Sequence, residues 1–377
     1  MNILILPDSF KNCLSSVAVG QALAEGVRRV FPKAHIEQYP VADGGEGTVE
    51  AFVAATSGEL VTCTCHDALG REIEGFYGLL PDGTAVIEMA AASGIQLLTS
   101  EELNPLLTST FGTGELLKAA LENGASEIIL GLGGSVTNDG GTGMAKALGY
   151  RFLDKNDDEI AEGGGALSHL VKIDNSQVNK LVEKAKIRIA CDVQNPLTGP
   201  NGASAIYGPQ KGASPQMVNT LDHNLKHLAH IIHQDLHVQV DTIPGAGAAG
   251  GMGAGSVAFL AGELIPGFDI VTDVLHLKDK VSQADIILTG EGKIDAQTLQ
   301  GKTPYAVAQL AKAANKKVIA FAGYLGEDHR VLYNHGFDAV FPIAEKPMSL
   351  DESLRNAHPL LANASERAFR MLKHTIK

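Results

Sequence analysis

The chain has 377 residues, which is enough for two domains, because single hydrophobic cores stop growing near ~250–300 residues. Its composition, 45% hydrophobic and 19% charged, is typical of a folded globular protein and excludes a disordered one. The net charge of −13 argues against nucleic acid or an anionic membrane as the main partner. An acidic protein that handles phosphates must therefore rely on local lysines, backbone amides or a divalent cation.

The cysteines and the chain start indicate a cytoplasmic protein. Cys63 and Cys65 lie on one face of a predicted strand, and no second cysteine pair or histidine cluster completes a zinc set with them. Free thiols suit a reducing compartment. The N-terminus lacks the basic start of a signal peptide, and no run of about 18 apolar residues predicts a transmembrane helix.

The first part of the chain predicts α/β alternation. Apolar runs and capping residues indicate a strand, a helix, a strand and a helix, in that order, at residues 2–6, 16–30, 35–41 and 48–56. Short β-rich pieces then follow at 59–90, with turns at Leu69-Gly70 and Pro81–Gly83, and these predict antiparallel hairpins. This change of pattern marks the entry to a second domain.

A glycine-rich stretch at Ile128–Leu148 reads as a strand, a loop and a helix that opens near Thr142. Thr110–Glu115 precedes a helix that runs to about Asn123, and 151–190 reads as irregular. The later chain predicts strands at 187–192, 285–289, 318–322 and 339–343. It predicts helices at 215–234, at 304–315 and at 363–373, and a further helix that opens in the glycine-rich stretch 244–255 and runs to about 262. The fold class is therefore α/β, with one domain built from both chain ends (1–60 plus 275–377) and a mixed-sheet domain (61–274) inserted between them.

Several loops that follow predicted strands combine acids, amides or lysine with glycine or proline. They lie at 8–11, 43–46, 192–204 and 289–295. In open α/β folds, ligands bind at the carboxyl ends of strands, where such loops gather. Carboxylates that are buried near one another need a cation or a lysine between them. The set predicts a ligand site built from several loops.

Other templates fit less well. Gly245-x-Gly247-x-x-Gly250 has the letters of a dinucleotide fingerprint but lacks a clear βαβ unit, so a glycine lining for close backbone approach is favoured over NAD binding. Gly301-Lys302-Thr303 resembles the end of a P-loop, but Ala296 occupies the first glycine position, which leaves an anion site at a helix start or a solvated lysine. A hydrolase is disfavoured, because no Gly-x-Ser-x-Gly surrounds the serine of the 133–141 loop. The histidines of the 215–234 helix indicate a metal face or, more simply, a polar helix side.

Taken together, the loops resemble the type I glycerate kinase family. The similarity runs in order from the first strand to about residue 325, through the segments Pro7–Lys11, Val41–Thr48, Gly112–Glu115, Gly133–Gly141, Cys191–Pro200, Gly208–Ala213, Pro244–Gly251 and Thr289–Asp295. Val136 and Gln194 depart from the family pattern, which has Ala and Asp there, and Gln194 removes one carboxylate.

The resemblance implies ATP-dependent phosphorylation of D-glycerate with Mg²⁺, generally giving 2-phosphoglycerate. It also implies that the domain from both chain ends is flavodoxin-like and that the active site lies in the cleft between the domains. A kinase that gives 3-phosphoglycerate or acts on another hydroxy acid, and a non-catalytic sugar-acid or nucleotide-binding regulator, stay open as alternatives. The oligomeric state is open as well.

Site residues follow from the same loops. For the catalytic base and the Mg²⁺ ligand we favour Asp192 and Asp295, in either order, followed by Asp43 and Glu291. Lys11 and Lys211 are expected to bind the glycerate carboxylate or the γ-phosphate. The 133–141 and 245–251 loops are expected to cradle phosphate. The residues expected to bind substrate or nucleotide are Asp8, Ser9, Asp43, Gly44, Gly45, Glu46, Gly133, Gly134, Ser135, Asn138, Asp139, Asn195, Gly245, Gly247 and Glu291.

Overall fold

The computed structural model describes residues 1–11, 13–41, 45 and 47–373. Backbone contacts divide the chain into two compact units. Unit 1 comprises residues 1–42 and 268–377, and unit 2 comprises residues 43–267. The stretch at 128–148 therefore belongs to unit 2.

The described residues form thirteen strands and thirteen α-helices. The strands are β1 Asn2–Ile5, β2 His35–Gln38, β3 Glu59–His66, β4 Glu72–Leu79, β5 Thr84–Glu88, β6 Glu127–Gly131, β7 Arg151–Leu153, β8 Lys172–Asp174, β9 Lys186–Ala190, β10 Glu263–Ile265, β11 Ile286–Ile294, β12 Lys317–Leu325 and β13 Ala339–Pro342. The helices are α1 Ser16–Val30, α2 Thr48–Thr56, α3 Ala90–Ser93, α4 Phe111–Glu122, α5 Thr142–Ala147, α6 Ala203–Tyr207, α7 Pro215–Leu236, α8 Ala248–Leu260, α9 Gly267–Val274, α10 Leu277–Gln283, α11 Thr303–Ala313, α12 Leu350–Arg355 and α13 Ala357–Leu372. None of these helices combines the length and the apolar character that a membrane span needs.

Unit 1 contains a five-stranded sheet in the order β13-β12-β11-β1-β2, and every pair in it is parallel. Numbered within the unit, this order is 2-1-3-4-5, the order of flavodoxin-like folds. The apolar runs predicted as strands supply the core, as in Ile3, Leu4 and Ile5 of β1, because a parallel sheet is covered on both faces.

Helix α1 follows the rules that predicted it. The Ser15 hydroxyl accepts from the Ala18 amide at 3.2 Å and caps the first turn. Val19, Leu23 and Val27 repeat every four residues and are all buried. This apolar stripe packs in the unit 1 core together with residues of α13.

Unit 2 contains a six-stranded sheet in the order β10-β9-β6-β5-β4-β3. Strands β10, β9, β6 and β5 are parallel, whereas β5-β4-β3 is an antiparallel meander, as the turn signals predicted. Asp67 shapes the first hairpin turn, since its Oδ1 accepts from the amides of Leu69 and Arg71 at 2.9 Å. The strands β5, β6 and β9 are neighbours, so the loops that follow them gather at one edge of the sheet.

Four sequence expectations need correction. Helix α4 begins at Phe111, so 112–115 lies inside its first turns and does not precede the helix. The stretch at 151–190 is not wholly irregular, because it contains the β7–β8 hairpin. The C-terminal helix begins at Ala357 and not at 363. The segment 289–295, expected as a loop after a strand, lies mostly within β11, which continues to Ile294 beside β12.

The unit boundaries differ from the expected domain boundaries. The sequence suggested 60/61 and 274/275, whereas the contacts divide the chain at 42/43 and 267/268. The difference at the first boundary has a physical reason, because helix α2 packs on β3, β4 and β5 and so belongs with unit 2. A helix pattern shows which face is buried but not which sheet will bury it.

Candidate active site

The loop at 133–141 follows β6 and is organised by the carboxylate of Asp139. This side chain is fully buried and accepts four hydrogen bonds: from the Thr110 amide (2.9 Å) and hydroxyl (2.8 Å), and from the amides of Gly141 (3.1 Å) and Gly143 (3.2 Å). Burial raises the pKa of Asp139, and these donors oppose the rise. Asp139 therefore joins the first turns of α4 and α5 and fixes the loop from within.

The second expected phosphate loop, 245–251, packs directly on the first. Gly250 has a φ of +69°, and a Cβ there would lie 2.0 Å from the Thr137 carbonyl oxygen. The Gly140 amide donates to the Gly250 carbonyl at 3.1 Å. No strand leads into this stretch in the described chain, which fits close backbone packing and not a dinucleotide-binding βαβ unit.

Asn138 is also fully buried, and its side-chain Nδ2 donates to the Ser204 hydroxyl at 3.1 Å. The remaining members of this group are nearer the surface. Gly134 is exposed, Gly133 is partly exposed and Ser135 is 7% exposed. Within the loop, 133–135 is thus the part that a ligand can reach.

Lys211 lies beneath this loop and not on the surface. Only 1% of it is exposed, and its Nζ donates to the Ser135 hydroxyl (2.7 Å) and to the Thr137 carbonyl (2.7 Å). Burial lowers the pKa of Lys211 to about 7, while the charge of Asp139 acts in the opposite direction. In this geometry the ammonium group contacts the loop itself, so direct contact with a substrate needs a rearrangement.

The loop after β9 places Asp192 at the carboxyl end of the same sheet. Asp192 is exposed, and its Oδ1 accepts from the Gly267 amide at 2.9 Å. Asn195 is held by two hydrogen bonds: its Oδ1 accepts from the Tyr207 hydroxyl (2.8 Å), and its Nδ2 donates to the Asn201 carbonyl (2.8 Å). The Gly247 amide donates to the Asn195 carbonyl at 3.0 Å, which links this loop to 245–251.

Unit 1 gathers a second set of expected residues around β1 and β11. The Asp8 amide donates to the Gly290 carbonyl at 3.0 Å, so the loop after β1 lies beside the end of β11. The Asp8 carboxylate accepts from the Ser9 amide at 2.6 Å. Lys11 is exposed.

Two buried carboxylates of β11 and its end, Glu291 and Asp295, are each 6% exposed. Glu291 accepts from the Thr298 hydroxyl at 2.6 Å and from Lys302 Nζ at 3.2 Å, while burial raises its pKa. Asp295 is paired with Lys293 Nζ at 2.6 Å, which lowers the pKa of Asp295. Thr298 also accepts from the Asp295 amide at 3.2 Å, so one hydroxyl joins both acids.

The expected residues of the 43–46 loop are described only in part. Asp43, Gly44 and Glu46 lie outside the described residues. The Gly45 carbonyl accepts from the Thr48 hydroxyl at 2.6 Å at the start of α2.

The structure adds a residue that no sequence pattern selects. Glu88 ends β5 and is 3% exposed, and its Oε1 accepts from the Val49 amide at 2.7 Å in the first turn of α2. Burial raises the pKa of Glu88 to about 7. A lone glutamate at a strand end carries no sequence signal, and only the packing of α2 on β5 reveals its partner.

The described part of the chain holds no ready-made cluster of metal ligands. No group of three or more His, Cys, Asp or Glu side chains there could hold a metal ion. The helix α7 histidines do not form such a group, and the ring of His227 is hydrogen-bonded to the Leu170 carbonyl at 2.7 Å. Asp192 and Asp295, the expected Mg²⁺ ligands, lie in different units. Their carboxylate oxygens are of the type that Mg²⁺ prefers.

Comparison with known proteins gives consistent results. The profile of the glycerate kinase family matches residues 3–373. A protein of Haemophilus influenzae named glycerate kinase is 50% identical over 373 residues, covering 99% of both chains. A protein of Escherichia coli K12 named glycerate 2-kinase is 50% identical over 366 residues, covering 97% of this chain and 96% of its own.

A solved structure shares the fold. It is a crystal structure from Salmonella typhimurium LT2 of a protein assigned as glycerate kinase 2. It is 46% identical to this chain and superposes with a TM-score of 0.90, covering 100% of this chain and 99% of its own. The mixed α/β architecture is therefore that of a known structure.

Proposed function

Because the chain belongs to the glycerate kinase family, we propose that it is an enzyme that transfers a phosphoryl group from ATP to D-glycerate, giving 2-phosphoglycerate. The observation that carries the proposal is the family match along residues 3–373, supported by relatives at 50% identity over nearly the whole chain. We propose that the reaction takes place in the cytoplasm.

The residues of the chain fit such a transfer. A bound Mg²⁺ would supply positive charge to offset the negative charge of the phosphate groups during transfer. We assign the metal-ligand role to Asp295, because the pairing with Lys293 keeps its pKa low and makes the carboxylate anionic but weakly basic. The acceptance of the glycerate hydroxyl proton then falls to Asp192, which is exposed at the end of β9. That the two units enclose the active site between them stays a prediction.

The decisive assay measures ADP release from ATP with D-glycerate and a panel of other small hydroxy acids. We expect turnover that depends on D-glycerate and on Mg²⁺, and a product that enolase consumes at once without phosphoglycerate mutase. Consumption only after addition of the mutase would indicate 3-phosphoglycerate. Turnover with another acid in place of D-glycerate would identify that acid as the substrate. Binding of D-glycerate without ADP release would favour the non-catalytic regulator.

The two acids are distinguished by separate variants. Asp192→Asn and Asp295→Asn are each expected to lower kcat at least ~10²-fold, the scale of a positioned acid–base group or metal ligand. Asp295→Asn alone should also raise the Mg²⁺ concentration needed for half-maximal rate. Asp154→Asn is the matched control, because Asp154 accepts from the Asn156 amide (2.7 Å) within a hairpin turn. Near-normal turnover in both site variants would reject the assignment.

A further inference from the structure

Lys211 is a buried cation without a carboxylate at ion-pair distance among the described residues. Its ammonium group has two identified acceptors, the Ser135 hydroxyl and the Thr137 carbonyl, both at 2.7 Å. Asp139 is the acid whose charge acts on it, but the Asp139 carboxylate is occupied by four other donors. When the amine is protonated, as it is at a pH below its pKa of about 7, its positive charge is therefore not neutralised where it lies.

Such an arrangement is costly. Transfer of an ammonium ion to a protein interior costs several kcal/mol even after relaxation, and an apolar side chain of similar volume avoids that cost. A structural tie does not need a charge, since Asn138 and Ser204 join the same loop to α6 with neutral groups at 3.1 Å. A use for the charge itself explains the lysine better.

The Ser135 hydroxyl shows where the charge can act. Because its oxygen accepts from Lys211, its own hydrogen must point away from the ammonium group. No acceptor for that hydrogen, and no partner for the amides of Gly134 and Ser135, occurs among the described residues. These three donors belong to the exposed end of the loop, where Gly134 has a φ of +73° that suits glycine.

We propose that 133–135 binds an oxyanion of the substrates and that Lys211 is its positioning residue, which orients the Ser135 hydroxyl and supplies positive potential from beneath the loop. The inference rests on the proposed function, in which the oxyanion is either the glycerate carboxylate or a phosphate of ATP. Lys211 thus acts through Ser135 and does not itself touch the ligand. Backbone amides over a buried cation form a concave donor set of the kind that holds anions.

The test uses the full-length protein and four variants: Ser135→Ala, Lys211→Gln, the double variant, and Ser365→Ala as the control. Ser365 is also buried, donates to the Leu23 carbonyl at 2.8 Å and lies in unit 1, so its replacement removes a buried hydroxyl elsewhere. KM and kcat are measured for D-glycerate and for ATP, and calorimetry gives Kd for each compound alone.

We expect Ser135→Ala to raise the KM and Kd of one of the two substrates about 10-fold or more, the effect of losing a hydrogen bond to a charged group. The other substrate and the control stay within about two-fold. The affected substrate identifies the oxyanion as carboxylate or phosphate. Lys211→Gln should raise the same constants. The KM and Kd of the double variant should be no higher than those of the poorer single variant, because both changes remove the same interaction between the Ser135 hydroxyl and the ligand.

Two results would overturn the inference. Unchanged KM and Kd for both substrates in Ser135→Ala would show that the Ser135 hydroxyl binds no oxyanion and so has no ligand for Lys211 to act on, whether or not Lys211→Gln folds. Additive effects in the double variant would show that Lys211 does not act through Ser135. If the unmodified protein bound neither D-glycerate nor ATP, the proposed function would fall as well, so the two failures are distinguishable.

Discussion

Burial of Lys211 makes the stability of the protein depend on pH above neutrality. In the folded protein the pKa of this lysine lies at about 7, against its ordinary value of 10.5. Between these two values the unfolded chain binds a proton that the folded protein has released. The unfolded state thus binds more protons there, and the free energy of unfolding rises as the pH increases from about 7 to 10.5.

The size of the effect follows from the same pKa values. A fall from 10.5 to about 7, at ~1.4 kcal/mol per pKa unit, corresponds to at most about 5 kcal/mol. Lys211→Met removes the titrating group and should remove this rise. For a unit the size of residues 43–267, ~1 kcal/mol moves the Tm by ~2–4 °C. The Tm of the original protein minus the Tm of Lys211→Met should therefore rise by roughly 10 °C between pH 6 and pH 10.

Differential scanning calorimetry from pH 6 to pH 10 measures this difference directly. Subtracting the Lys211→Met curve cancels the cysteines and tyrosines that titrate at high pH in both proteins. Lys172→Met is the control, because the Lys172 side chain is exposed and its removal should leave the pH dependence unchanged. Parallel Tm curves for the original protein and Lys211→Met would refute the reasoning, whatever their vertical offset.

Three further predictions concern packing and buried acids. Gly250→Ala should cost more than ~2 kcal/mol of unfolding free energy, because its Cβ would lie 2.0 Å from a backbone oxygen, whereas Gly124→Ala, with φ +91° and no atom within 4 Å, should cost only ~1 kcal/mol. Equal losses in denaturant titrations would contradict the clash. Glu88 has a folded pKa of about 7 against 4.5, so its folded form binds the extra proton and stability falls by up to ~3 kcal/mol as the pH rises from 4.5 to 7. Glu88→Gln should remove this fall in thermal scans, and an unchanged slope would count against it. Thr298→Val should lower stability by ~1–3 kcal/mol, since it deprives buried Glu291 of a donor, while Thr298→Ser should restore it; equal Tm values for the two variants would exclude that hydrogen bond.

Local chemistry was sufficient to predict much of the secondary structure. The apolar run of β1, the serine cap of α1 and the turn at Leu69-Gly70 are each encoded within a few neighbouring residues, and all three are confirmed, with Ser15 rather than Ser16 as the cap. The loops at 8–11 and 192–204 were also recognisable, because they directly follow such runs, whereas 289–294 continues strand β11. The errors lie where tertiary contacts decide, as at α4, whose first turn at Phe111 is secured by Asp139 from a distant loop.

The candidate site shows the same division more sharply. The sequence by itself determined the family, the α/β class and the set of polar loops, since these depend on residue types in a fixed order. The tertiary structure alone decided which polar groups are buried and what each one contacts. Lys211 and Ser135 are 76 residues apart along the chain, and Glu88 and Val49 are 39 apart. Such partners become neighbours only when the sheet brings its strand ends together. The sequence could therefore select Lys211 as a candidate substrate ligand but could not show that it is buried and contacts the loop.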